Sequence, residues 1–137
     1  MLLANHFSIP PILSSLIILF TCAYVFQKNP RSKTHQAFLY FCLSLVVWTF
    51  CSGMAYSSGS PETAHLWLEG SFVGIAFIPS TNFYFYAVMM GMKNMKRAIS
   101  FFALSVIFLT INITTPLIHS GTNHFFWGDF AKAGPLH

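Results

Sequence analysis

SPETAHLWLEGSFVGIAFIPSTNFYFYAVMMGMK, residues 60–93, is the stretch that decides the fold. Ser60 is placed to cap a helix, Pro61 suits the first helical position, and Glu62 complements the positive end of the helix dipole. From Phe72 to Met92 there is no charged residue. At about 1.5 Å per residue a helix over 61–92 is roughly 48 Å long. A bilayer's hydrocarbon core needs only about 30 Å. The first three turns are therefore expected in the interface, the span itself over about 66–92, and Lys93 on the opposite side. Three further apolar segments are arranged around this one.

The chain of 137 residues is 55% hydrophobic, 18% aromatic and only 7% charged, with 16 Phe. A soluble domain carries about 25% charged residues, so this composition cannot cover a water-facing surface. The class is an integral membrane domain with the lipid bilayer as its first partner. The net charge of +4 does not point to nucleic acid, because the basic residues flank apolar segments and form no aromatic-interleaved patch. Cys22, Cys42 and Cys51 all lie inside apolar segments, where they read as small buried side chains rather than a disulfide framework. No Cys/His spacing suits zinc, and no cofactor is called for.

The first span is expected over about 9–27, with Pro10 and Pro11 near its start. Positive charge follows it, at Lys28, Arg31 and Lys33, and no A-x-A site comes after. That pattern predicts a retained helix rather than a signal peptide. Asn29-Pro30 marks a turn. The second span is expected over 37–56 and exits through a Ser/Gly-rich joint. The fourth, over 98–118, is interrupted by Asn112, Thr114, Thr115 and Pro116. A polar, aromatic, glycine-rich tail occupies 119–137.

Six of the seven Lys and Arg residues follow the first and third spans, whereas Glu62, Glu69 and Asp129 fall on the other side. The positive-inside rule then makes loops 28–34 and 93–97 cytoplasmic and both chain ends external. The expected fold is all-α, one transmembrane domain over 1–137, a four-helix up-down bundle. The ending WGDFAKAGPLH (127–137) reads as the middle of a structured outer loop, so the chain is expected to be a truncated piece of a longer protein.

Several positions are candidates for function. Glu62, His65 and Glu69 share one helix face. A His between two carboxylates holds its proton near neutral pH, so they form either a proton- or cation-sensing patch or a solvated face with a mild ion pair. Pro79 frees a carbonyl one turn back, which Ser80 or Thr81 can satisfy. Asn82, costly in lipid, should face the bundle. This break is either a ligand pocket or signalling hinge, or a structural interhelical bond of about 0.6–2 kcal/mol. Gly70-x-x-x-Gly74 permits close helix approach, within the bundle or, as the alternative, in a homodimer. Trp48 lies away from the aromatic belts where Trp67 and Trp127 belong, and either walls a pocket or packs in the bundle or against lipid. No two His residues at matching depth suit a haem. His119 and His124 near Asp129 have no recognised ligand spacing.

Three stretches carry a resemblance. YVFQKNPRSKTHQAFLYFCLSLVVWTF (24–50), WLEGSFVGIAFIPSTNFYF (67–85) and WGDFAKAGPLH (127–137) resemble the N-terminal seven-helix sensor region of bacterial histidine kinases. The resemblance implies a membrane sensor module ahead of a cytoplasmic output domain, usually a kinase, in the bacterial inner membrane. It responds to a stimulus that the motifs do not name. Four spans stand here against the family's seven, and no phosphoacceptor or ATP-binding domain is present, so no enzyme activity is expected of this chain. Ser80-Thr81-Asn82 replaces a second Pro or apolar residues of the family pattern. The expected function is the sensory input of a two-component-type signalling protein. The alternative is a small oligomeric transporter or channel subunit, for which Glu69, at a helix end, is the only acid near a span.

Overall fold

Residues 6–125 and 128–135 are described by a computed structural model. A 3-10 turn, His6–Ser8, leads into α1 (Ile9–Lys28). Then come α2 (Lys33–Tyr56), α3 (Pro61–Met89) and α4 (Lys96–Thr114), followed by strands β1 (His119–Phe125) and β2 (Gly128–Ala133). All four helices are long and apolar enough to cross a membrane. The position expected for Trp127 lies outside the described residues.

Local chemistry explains the joints. In the first, Ser32 N donates to Asn29 O at 3.1 Å, closing the Asn-Pro turn, and the Ser32 side chain caps α2 by accepting from His35 N. Gln36 Nε2 reaches back to Pro30 O at 2.9 Å. The cap starts α2 at Lys33, a turn before the expected 37. Ser60 caps α3 as expected, accepting from Thr63 N at 3.3 Å.

The end of α3 corrects the sequence reading. Gly91 has φ +65, its N–H bonds Val88 O, and the N–H of Met92 bonds Ala87 O. These are the two bonds of a Schellman stop, and they end the helix at Met89 rather than Met92. α4 ends at Thr114 rather than 118. Pro116 has no N–H and holds Thr115 extended, at φ −137 and ψ 147.

The spanning part is all-α, but the tail is not. β1 and β2 pair antiparallel, with Thr122 opposite Ala131 and Phe125 opposite Gly128. The hairpin is tied to the exit of α4 by Gly134 N donating to Ile118 O at 2.9 Å. A Cβ on Gly134 would lie 2.3 Å from Leu117 O. The close approach admits only glycine, which gives the K-A-G-P run a physical reason.

Each helix packs chiefly on its chain neighbours. α2 lies between α1 and α3, α3 lies between α2 and α4, and no comparable contact joins α1 to α4. Most buried positions are small: Cys22, Ala37, Cys42, Ala55, Ala64, Ala76, Ala87 and Ala98, with several serines, while Thr81, Asn112 and Leu68 are the larger buried side chains among the described residues. Large residues such as Phe20, Met90, Leu104 and Ile107 point outward. In lipid an apolar side chain gains nothing by leaving the surface, so helices associate where small residues let their backbones approach. At Gly74 a Cβ would stand 2.5 Å from Trp48 N and 2.7 Å from Ser44 O. At Gly70 it would meet Cys51 Sγ at 3.1 Å. Both glycines of the G-x-x-x-G pattern are therefore used within the bundle, between α2 and α3.

Candidate functional site

Pro79 interrupts the hydrogen-bond ladder of α3 two-thirds of the way along the helix. The residues after it turn toward different neighbours. Ser80, 1% exposed, donates from Oγ to Phe101 O of α4 at 2.8 Å and meets Ser105 Oγ. Ser105 Oγ in turn reaches Ala76 O, in the turn that Pro79 opens. Thr81 Oγ1 lies 3.2 Å from Ser44 Oγ of α2 and bonds Phe77 O of its own helix at 2.8 Å. A hydroxyl on a helix reaches back three or four residues. Thr81 thus serves Phe77 and Ile78, not the Ile75 carbonyl that Pro79 frees, and the hydroxyl that Ser105 sends into the opened turn comes from α4. The expectation that Ser80 or Thr81 would satisfy that carbonyl is corrected accordingly.

The α3–α4 seam has two hydroxyl hydrogens for three contacts, and the α2–α3 seam has two for four. Ser80 and Ser105 share theirs among Phe101 O, Ala76 O and each other. A hydroxyl carries one hydrogen and two lone pairs, so in each seam the contacts outnumber the hydrogens. Asn82 is half-buried and takes part in none of these interhelical bonds. Aromatic pairs flank the break: Phe83 with Phe101 at 4.7 Å and Phe77 with Phe102 at 6.4 Å.

Trp48, 39% exposed, walls a cavity of about 490 Å³ with Pro10, Tyr56, Leu68, Phe72 and, from the hairpin, Phe130. Trp48 also packs its backbone on Gly74 within the bundle and leaves part of its ring exposed. Trp67 packs edge-on against Phe50 at 6.1 Å.

At the start of α3, His65 Nε2 stands 3.5 Å from Glu69 Oε1, and both side chains are roughly 40% exposed. Glu62 is exposed and does not join them. An exposed pair of this kind is worth little, about 0–1 kcal/mol. His65 and Glu69 face the end of α4 across a cleft of about 310 Å³ that also holds Asn112, Thr114 and Thr115. Among the described residues no group of three His, Cys, Asp or Glu side chains could hold a metal. The side chains of His119, His124 and Asp129 lie outside the described set.

The structure thus separates the candidates into three places. Pro79 lies on the α3–α4 seam with Asn82 beside it, Trp48 lines the larger cavity, and His65 and Glu69 line the cleft at the hairpin end. Sequence reasoning missed Ser44, Ser105 and the burial of Asn112. The usable signal was slight: Ser44 and Ser105 are single hydroxyls inside otherwise apolar runs.

Compared with known families, residues 10–137 match the one described as the N-terminal seven-transmembrane region of histidine kinase. No curated protein matches the chain, and no solved structure does.

Proposed function

The chain belongs to the family of N-terminal seven-transmembrane regions of histidine kinases, and from that premise we propose that it is the sensory input module of a two-component-type signalling protein. The observation that supports this reading most directly is the placement of Ser80 and Thr81. Adjacent residues of α3 bond its two neighbours, α4 and α2, at the turn loosened by Pro79. A displacement of one neighbour is felt at the other through a single helical turn.

In this reading basic loops 28–34 and 93–97 face the cytoplasm of a bacterial cell and the hairpin faces outward. The stimulus acts at the hairpin end, where Trp48 walls a cavity and His65 and Glu69 line a cleft. It favours one of two helix arrangements. Pro79 supplies the soft turn, Asn82 lies beside it, and the change passes to a kinase that lies beyond the spans of the complete receptor. Catalysis belongs to that kinase and not to these helices. Charge placement is less favourable to the transporter reading, because Glu69 stands at a helix end rather than within the bundle.

The test begins by reading the source locus past the codon for His137, with further apolar spans and a kinase domain expected. Autophosphorylation of that receptor is then measured in membranes for wild type and Ser105→Ala. One interhelical hydrogen bond is worth about 0.6 kcal/mol, so basal output should shift about threefold. Unchanged output at equal membrane abundance removes the seam from the mechanism. Solute flux in liposomes containing the chain alone would instead favour the transporter.

A further inference from the structure

Asn112 lies in the last turn of α4 and is 7% exposed, yet neither its Nδ2 nor its Oδ1 has a hydrogen-bond partner. An unpaired buried amide is destabilising by roughly 1–3 kcal/mol. The side chain lines the cleft that His65 and Glu69 share with Thr114, Thr115 and Ser120. Both amide atoms are closed to solvent, so an occupant of the cleft relieves that cost once the side chain turns toward it.

The chemistry of the occupant follows from what the lining still offers. Thr114 Oγ1 already donates to Thr110 O at 2.7 Å, Thr115 Oγ1 to Ile111 O at 2.6 Å, and Ser120 Oγ to Ala133 O at 3.0 Å. All three hydroxyl hydrogens are spent on backbone carbonyls, so these groups offer lone pairs only. Glu69 adds a carboxylate, and Asn112 Oδ1 adds a further acceptor. The cleft also receives the C-terminal end of α4, where the helix dipole is negative. Among the described residues no Lys or Arg lines it. Against this excess of acceptors stand the Asn112 amide hydrogens and the His65 imidazole.

Resting on the sensory reading above, we infer that this cleft binds a small organic cation, an ammonium or guanidinium whose N–H groups face Glu69 and the hydroxyl lone pairs. The unpaired Asn112 Oδ1 takes a further N–H of the same cation. A metal ion fits less well. Calcium takes about six to eight oxygen ligands, several of them carboxylates, and the described lining holds one carboxylate. An anion would meet the wrong end of the helix. Two sources present the required chemistry: a free amine or guanidine, and the ammonium of a phosphatidylethanolamine headgroup, because the cleft lies at the end of the spans.

The test uses the whole chain in phosphatidylcholine nanodiscs, whose headgroups have no N–H, with agmatine as probe in isothermal titration. Saturable one-to-one binding is expected. It should weaken about tenfold or more in Glu69→Gln, the equivalent of one charge-assisted hydrogen bond. It should weaken likewise in Asn112→Leu. Thr115→Val serves as the milder variant, and circular dichroism confirms the helix content of each. Adding phosphatidylethanolamine assigns the natural source. Competition with agmatine points to the headgroup, and undiminished agmatine binding points to a solute. No saturable binding, binding indifferent to Glu69→Gln, or calcium binding in place of agmatine overturns the inference. The two readings fail separately. If agmatine binds but kinase output in the complete receptor never changes, the site stands and the sensory role falls. If agmatine fails to bind while the complete receptor still responds to its stimulus, the sensory role stands and the site falls.

Discussion

The seam around Pro79 and the cleft beside Asn112 are both polar places at the contact of α3 with α4, and they are opposite in kind. In the seam every hydroxyl is engaged: Ser80, Ser105, Thr81 and Ser44 bond backbone carbonyls and one another. In the cleft a whole carboxamide is buried with neither end paired. The first holds helices together through groups that satisfy themselves. The second leaves its hydrogen-bonding capacity unspent. A buried polar residue therefore has no fixed meaning in this fold, and the state of its hydrogen bonds gives it one.

This contrast can be broken most forcefully through the packing beneath the seam. Gly74→Val would drive methyl groups into the Trp48 and Ser44 backbones, already 2.5 and 2.7 Å from an added Cβ. It should destabilise by about 3 kcal/mol, read as earlier unfolding in a reversible detergent titration. A neutral result would mean that α2 and α3 do not meet there.

A smaller loss is expected from Ser105→Val, which removes both the bond to Ala76 O and the partner of Ser80. About 1 kcal/mol of destabilisation should appear in the same titration. Asn112→Leu sharpens the comparison because its sign is reversed. Removing an unpaired buried amide should leave the empty protein unchanged or stabilise it by up to about 1 kcal/mol. A loss of stability comparable to that of Ser105→Val would show that Asn112 is satisfied after all. Least of all is expected from Asn82→Leu, under about 0.5 kcal/mol, since no interhelical bond depends on it. A large cost there would return Asn82 to the centre of the bundle.

The frame was legible in the sequence because its signals are local. Ser60-Pro61 starts α3, and Asn29-Pro30-Arg31-Ser32 both ends α1 and caps α2, as the hydrogen bonds show. Gly91 was equally local and was passed over, which cost the expected helix its last three residues. The seams were not legible. Ser44, Thr81 and Ser105 are far apart in the chain, and nothing near each of them says which helix it faces. In water a 3.6-residue apolar stripe would mark the buried side. In lipid both sides are apolar, and the stripe is absent. Asn82 illustrates the result: polarity suggested a bundle-facing residue, whereas the bonds belong to the two residues before it. The hairpin was hidden for a related reason. His119–Phe125 has no alternation of apolar and polar residues to announce a strand.

The adjacency of Ser80 and Thr81 also limits how α3 can move. Successive residues on a helix are about 100° apart around its axis, so the two hydroxyls act like pins set at a right angle on one shaft. Turning the shaft either way swings both pins along their partners at once. Sliding it lengthwise displaces both by the same amount. Neither motion lets α3 leave α4 while remaining in register with α2, and the helix behaves as a gear between its neighbours rather than as a piston past one of them.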